Sequence, residues 1–171
     1  MASGKLPVPQ PARARSVVTH PLKLLTLLVA GLASAAVAAQ DPPLPNRPGS
    51  LKFAAIGDNG TGDRPQYELA DQMTKAHATF PFDLVIMLGD NMYGSQRPAD
   101  FVKKFEQPYA SLLSAGVKFQ ASLGNHDRPE NASYKHWNMN GERYYSYVRG
   151  NVRFFALDSS RMDPKQVTSI E

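Results

Sequence analysis

Short, largely apolar runs alternate with polar loops along the middle of this chain, and three of the runs end alike. Leu51–Ile56 leads into Gly57-Asp58, Leu84–Leu88 into Gly89-Asp90, and Val117–Leu123 into Gly124-Asn125-His126-Asp127. Runs of this length read as buried strands, and each Gly lets the backbone turn sharply as it leaves the sheet. Gln66–His77 has helix formers with apolar positions at Leu69, Met73 and Ala76, a helix of about three turns. Phe80-Pro81-Phe82 breaks it. Ala99–Glu106 reads as helical and stops before Pro108, and Tyr109–Ala115 as a second short helix ended by Gly116. The pattern then changes. Arg143–Arg149 and Val152–Leu157 are two strands joined at Gly150-Asn151, a hairpin signal, with Tyr144, Tyr145 and Tyr147 as strand-packing residues. Asp163-Pro164 announces a helix, an N-cap followed by Pro at the first helical position. No stop signal follows before Glu171, so the chain is expected to end inside an element.

Strand, loop, helix, strand is the order of an α/β fold. Asp58, Asp90 and Asn125 follow one another at 32 and 35 residues, about one βαβ unit, which suits neighbouring parallel strands. Their side chains then sit at the carboxyl edge of the sheet, where open α/β sheets bind ligands. Carboxylates are hard ligands for divalent and trivalent metals, and Asn125 adds a carboxamide oxygen. Tyr93, three residues after Asp90, can reach the same cluster, and a phenolate favours a trivalent ion such as ferric iron. His126 adjoins a candidate ligand and is placed to act as a general acid. A pair of such metals clamps a phosphoryl group for in-line displacement. The blander use of Asp58 and Asp90 is to cap the helices that follow them. His77 reads as a helix-surface residue and His136 as one packing near Trp137, while Asp158, after the last strand, is either a support behind the site or a turn residue and is left unassigned.

Charge changes the picture only at the N-terminus. The formal charge is +4. Residues 1–39 carry Lys5, Arg13, Arg15 and Lys23 and no acid, leaving fifteen basic against fifteen acidic residues beyond them. The basic balance therefore makes no case for a nucleic-acid partner. Lys23, the apolar Leu24–Leu32 and the A-x-A pattern Ala36-Val37-Ala38 read as a secretory signal over 1–39. The expected product is periplasmic or secreted, with no stable membrane anchor after cleavage. The absence of cysteine excludes a lipoprotein anchor and a disulfide framework. A Pro-rich linker spans 40–50 and the domain runs over 51–171.

Gly57-Asp58-Asn59-Gly60, Gly89-Asp90-Asn91-Met92-Tyr93 and Gly124-Asn125-His126-Asp127 together resemble the first three blocks of the calcineurin-like metallophosphoesterases. The Tyr in the second block points to the purple acid phosphatase branch, nearest its tartrate-resistant type. The resemblance implies a four-layer α/β/β/α sandwich, of which this chain holds the first half. It also implies a dinuclear metal centre of Fe(III) with Fe(II), Zn or Mn. Asp58 would bind the ferric ion, Asp90 would bridge the two metals, and Tyr93 would bind iron as the coloured phenolate. Asn125 would hold the second metal, and His126 would protonate the leaving oxygen. A metal-bound hydroxide would attack a small phosphomonoester, the acid phosphatase reaction. The family's later blocks, Val-x-x-His and Gly-His-x-His, have no counterpart before Glu171, and neither His77 nor His136 matches them. The chain is therefore expected to be an incomplete fragment with exposed apolar surface and weak metal binding. Two alternatives stand beside phosphomonoesterase: a phosphodiesterase or nucleotidase with the same core, and a non-catalytic degenerate phosphatase domain.

Overall fold

The three Gly-terminated runs pair into one sheet. A computed structural model describes residues 44–168. In it β1 (Phe53–Ile56), β2 (Leu84–Met87) and β3 (Lys118–Ala121) lie side by side in that order, all parallel. The register sets Ile56 beside Met87 and Met87 beside Ala121, so the three strands end level and their loops leave from one edge. The expected signal peptide over 1–39, the start of the linker and residues 169–171 lie outside the described residues.

The first helix, α1 (Arg64–Thr79), is longer than its apolar pattern by two residues at each end, with Pro65 in its first turn. The second region differs from a plain helix. A single α-turn, α2 (Pro98–Phe101), passes into a π-helical turn over Val102–Glu106, closed by the Gln107 amide on the Val102 carbonyl at 2.8 Å. Pro108 has no N–H and restrains Gln107 before it, so the ordinary i→i−4 ladder ends here in a wider turn. α3 (Ala110–Ser114) follows and stops at Gly116, whose φ of +83° suits its place as the cap. Two 3-10 turns that the apolar pattern did not indicate, Pro129–Ser133 and Lys135–Trp137, bring Trp137 into the core.

One face of the sheet carries Ile56, Val85, Met87, Phe119 and Ala121 into a core shared with Ala70 and Met73 of α1, Phe105 and Leu112. On the opposite face sit Phe53 and Gln120. The hairpin β4 (Tyr145–Arg149) and β5 (Val152–Ala156), antiparallel as predicted, packs there. Phe154 lies edge-on to Phe53 at 6.0 Å, and the Tyr145 hydroxyl donates to the Ala121 carbonyl at 2.8 Å. Helices, a parallel sheet and the beginning of a second sheet are thus the first layers of the expected α/β/β/α order. The Asp163-Pro164 signal opens α4 (Pro164–Thr168), with the Gln166 amide donating to Asp163 Oδ1 at 2.9 Å. Large apolar side chains remain exposed, among them Leu88 at 64 %, Val148 and Phe155. Among the described residues no helix is long and apolar enough to cross a membrane.

Candidate metal centre

The loops after β1, β2 and β3 touch because glycine lets them. A Cβ on Gly57 would stand 3.3 Å from Leu88 Cβ, one on Gly89 would come 2.9 Å from Gly124 Cα, and one on Gly124 would overlap Asp90. The sharp turn itself is carried elsewhere than the sequence suggested. Gly89 takes positive φ (+108°), but Gly57 and Gly124 do not. Asp58 and Asp90 themselves adopt left-handed backbone, at φ +54° and +51°. Such conformations are unfavourable for a non-glycine residue and gather at functional sites. Neither aspartate caps a helix: α1 begins at Arg64 and α2 at Pro98.

Tyr93 joins them. Its phenol lies 3.0 Å from Asp58 Oδ1 and 3.1 Å from Asp90 Oδ2, so one hydroxyl spans both carboxylates. Desolvation, then the hydrogen bonds to Asp58 and Asp90, pushes the phenol well above the ordinary tyrosine range. The backbone repeats the connection, the Asp58 amide donating to the Gly89 carbonyl at 3.1 Å and the Tyr93 amide to the Gly60 carbonyl at 2.9 Å. Asn59 anchors the first loop to the core by donating from its side chain to Tyr109 Oη at 2.6 Å.

From the third loop, the His126 amide donates to Asp90 Oδ1 at 3.0 Å. The His126 ring packs on Tyr93 with centroids 4.8 Å apart and is otherwise exposed. Asn125 is also exposed; the residues on either side of it press on Asp90, but its side chain makes no hydrogen bond to the cluster. The structure therefore brings together Asp58, Asp90, Tyr93 and His126, and places Asn125 at the rim. His77 and His136 lie elsewhere, against Phe82 and beside Phe105 and Glu106. Asp158 is fully buried in an ion pair with Arg143 at 2.8 Å, a packing role.

Asp127 closes the third motif, where no local pattern assigned it a role. It is 1 % exposed. Its carboxylate accepts from the amides of Asn91 (3.1 Å), Met92 (2.9 Å) and Gly124 (2.9 Å) and from the Asn91 side chain (2.9 Å). It thereby rivets the Asp90 loop to the His126 loop. Burial pushes its carboxyl up, against the downward pull of those amides. Asp127→Asn turns an acceptor into a donor facing N–H groups and should cost about 2–3 kcal/mol. Urea unfolding would measure it, and a midpoint equal to that of the wild type would contradict the role. Gln96 makes a second fastener, donating to the His126 carbonyl at 2.7 Å and accepting from the Arg128 amide at 3.1 Å. Neither Asp127 nor Gln96 carried a local signal of this role, because the groups they fasten belong to another loop.

Among the described residues no group of three or more His, Asp or Glu side chains gathers to hold a metal. The donor set is instead two carboxylates and a phenol. These are hard oxygen donors suited to a ferric or similar ion. A cation replacing the phenolic proton would find oxygens of Asp58, Asp90 and Tyr93 already facing one another. The residues fit part of a metal shell, the part without imidazole.

Residues 51–166 match the calcineurin-like phosphoesterase family. A stretch of 46 residues is 37 % identical to the probable inactive purple acid phosphatase 14 of Arabidopsis thaliana, covering 27 % of this chain and 12 % of that protein. The fold is similar to that of a purple acid phosphatase from yellow lupin (Lupinus luteus) seeds, with a TM-score of 0.46 at 17 % identity over 72 % of this chain and 28 % of the lupin one. The chain thus matches less than a third of the length of either relative.

Proposed function

Since the chain belongs to the calcineurin-like phosphoesterase family, we propose that it supplies the oxygen-donor half of a dinuclear phosphomonoesterase site. Asp58, Asp90, Tyr93 and Asn125 are the ligands in this reading and His126 is the acid. The observation that supports it best is the Tyr93 hydroxyl held between Asp58 and Asp90 at 3.0 and 3.1 Å. A centre of Fe(III) with Fe(II), Zn or Mn, when bound, supplies the nucleophile and the charge neutralisation for in-line displacement at phosphorus. The chain's own residues do the rest. Asp90 presents both oxygens to the shared edge, one toward Tyr93 and one toward the His126 amide. His126 keeps an exposed ring, restrained on one side by Tyr93, from which a proton can pass to a leaving oxygen. The substrate class is a small phosphoester, met in the periplasm or outside the cell, without a nucleic-acid partner or membrane anchor.

A phosphodiesterase or nucleotidase keeps the same core and differs in the pocket walls. A non-catalytic domain is the second reading. It is favoured by His126 being the sole histidine at the cluster among the described residues, and by the word inactive in the name of the Arabidopsis relative. After loading with iron and zinc, hydrolysis of p-nitrophenyl phosphate in preference to its bis ester supports the proposal, and the reverse preference moves the assignment. The half shell of the 171-residue chain predicts little turnover of either, so the non-catalytic reading is favoured by failure to bind either ion at all. Elemental analysis of the 171-residue chain should find fewer than two tightly bound ions; a full pair would refute the half-shell reading. In iron-loaded protein Tyr93→Phe should remove the visible phenolate absorption, and an unchanged spectrum would exclude Tyr93 as a ligand.

A further inference from the structure

The loop that carries Tyr93 rests on a buried ammonium. Lys104, in the π-helical turn, is 7 % exposed. Its Nζ donates to the carbonyls of Tyr93 and Ser95, both at 2.6 Å. Its own carbonyl accepts from Gln66 Nε2 at 2.5 Å, which ties the turn to α1. Space for the lysine stem depends on Gly62, where a Cβ would stand 2.7 Å from Lys104 Cγ. Among the described residues no carboxylate lies within ion-pair distance of this ammonium.

A buried charge is costly unless it is hydrogen-bonded, so this one needs its two carbonyls as much as they need it. An ammonium carries three donors and no acceptor, which suits two carbonyls converging on one point. The Tyr93 amide is already engaged with the Gly60 carbonyl at 2.9 Å. With Lys104 on the carbonyl, the Tyr93 backbone is held on both its polar groups, and the phenol has a fixed base from which to reach Asp58 and Asp90.

We propose that Lys104 is a positioning residue for Tyr93: its ammonium clamps the Tyr93 and Ser95 carbonyls so that the phenol stays between Asp58 and Asp90. The functional weight of this clamp rests on the reading of Tyr93 as a ligand; the clamp itself does not.

The test uses the whole metal-free chain with ring-13C tyrosine, read by NMR. Tyr93 is assigned by the signal lost in Tyr93→Phe. Lys104→Met keeps the apolar stem and removes the donors. Its Tyr93 signal should move to the position of an unstructured tyrosine, while Tyr109, Tyr134 and Tyr145 keep theirs. Lys104→Arg, a cation with several donors, should bring the Tyr93 signal back toward its wild-type place. An unmoved Tyr93 signal in Lys104→Met overturns the proposal, as does Lys104→Arg that moves Tyr93 as far as Lys104→Met does. Should Lys104→Met fail to fold, Lys104→Gln decides. Displacement of Tyr93 alone supports the clamp, and displacement of all four tyrosines, or of none, overturns it. Because no metal is present, failure here speaks against Lys104 only. Failure of the ligand reading would appear separately, as an unchanged iron-loaded spectrum in Tyr93→Phe.

Discussion

Gly60→Ala should cost more than about 4 kcal/mol of folding stability, in the range reserved for severe core or backbone disruption. A Cβ at Gly60 would overlap the Asn91 carbonyl group and stand 2.5 Å from the Met92 amide nitrogen. These are backbone atoms and cannot swing aside as a flexible side chain can. Moving them breaks a dense set of bonds. The Gly60 amide and carbonyl join Asp90 and Tyr93, and the amides of Asn91 and Met92 are held by Asp127. The whole contact between the first and second loops would have to part. Gly94→Ala is the control: its φ is +65°, but nothing lies within 4 Å of the added carbon. It should cost about 1–2 kcal/mol, the left-handed backbone penalty alone. Urea unfolding of the two variants against the wild type measures both. Equal midpoints for Gly60→Ala and Gly94→Ala would mean that the loops do not approach so closely.

Asp90→Asn should lower metal affinity by more than about 100-fold, the upper range seen when only a supporting partner of a ligand is lost. The change keeps size and shape but removes the negative charge proposed to bridge two cations. It also disturbs what Asp90 does without metal. Oδ2 accepts from Tyr93 and Oδ1 from the His126 amide, and an amide in its place can satisfy only one of these donors through its remaining oxygen. Asp63→Asn is the comparison. That aspartate precedes α1 and is hydrogen-bonded to Thr61 rather than to Tyr93. Calorimetric titration with zinc or manganese reads the effect. Unchanged affinity in Asp90→Asn would remove Asp90 from the ligand set.

How much was visible beforehand differs from element to element. β1, β2, β3 and the hairpin were readable because short apolar runs bounded by Gly or by a Gly-Asn turn have few other uses. The parallel order followed from spacing, since about 30 residues is what a strand, a crossover and a return require. The π-helical turn was not readable, because Val102–Glu106 carries an ordinary helical pattern and the widening is set by Pro108 and by the carbonyls that Lys104 must reach. The glycines were foreseen but for only part of the reason. They serve close approach of loops far apart in sequence, while the aspartates after two of them take the left-handed backbone.

Asp58, Asp90, Asn125, Tyr93 and His126 were nameable from order and residue type, because three strand-ending blocks in series are a property of the chain. Asp127, Gln96 and Lys104 were not, because what they do depends on which loops meet. A hydrogen bond between residues 36 apart, such as that of Asp127 with Asn91, leaves no periodic trace in either segment. Local pattern thus determined the strands, their parallel order and the oxygen donors at their tips. The folded chain alone decided how those tips are fastened together, because burial and hydrogen-bond satisfaction are settled between segments rather than within them.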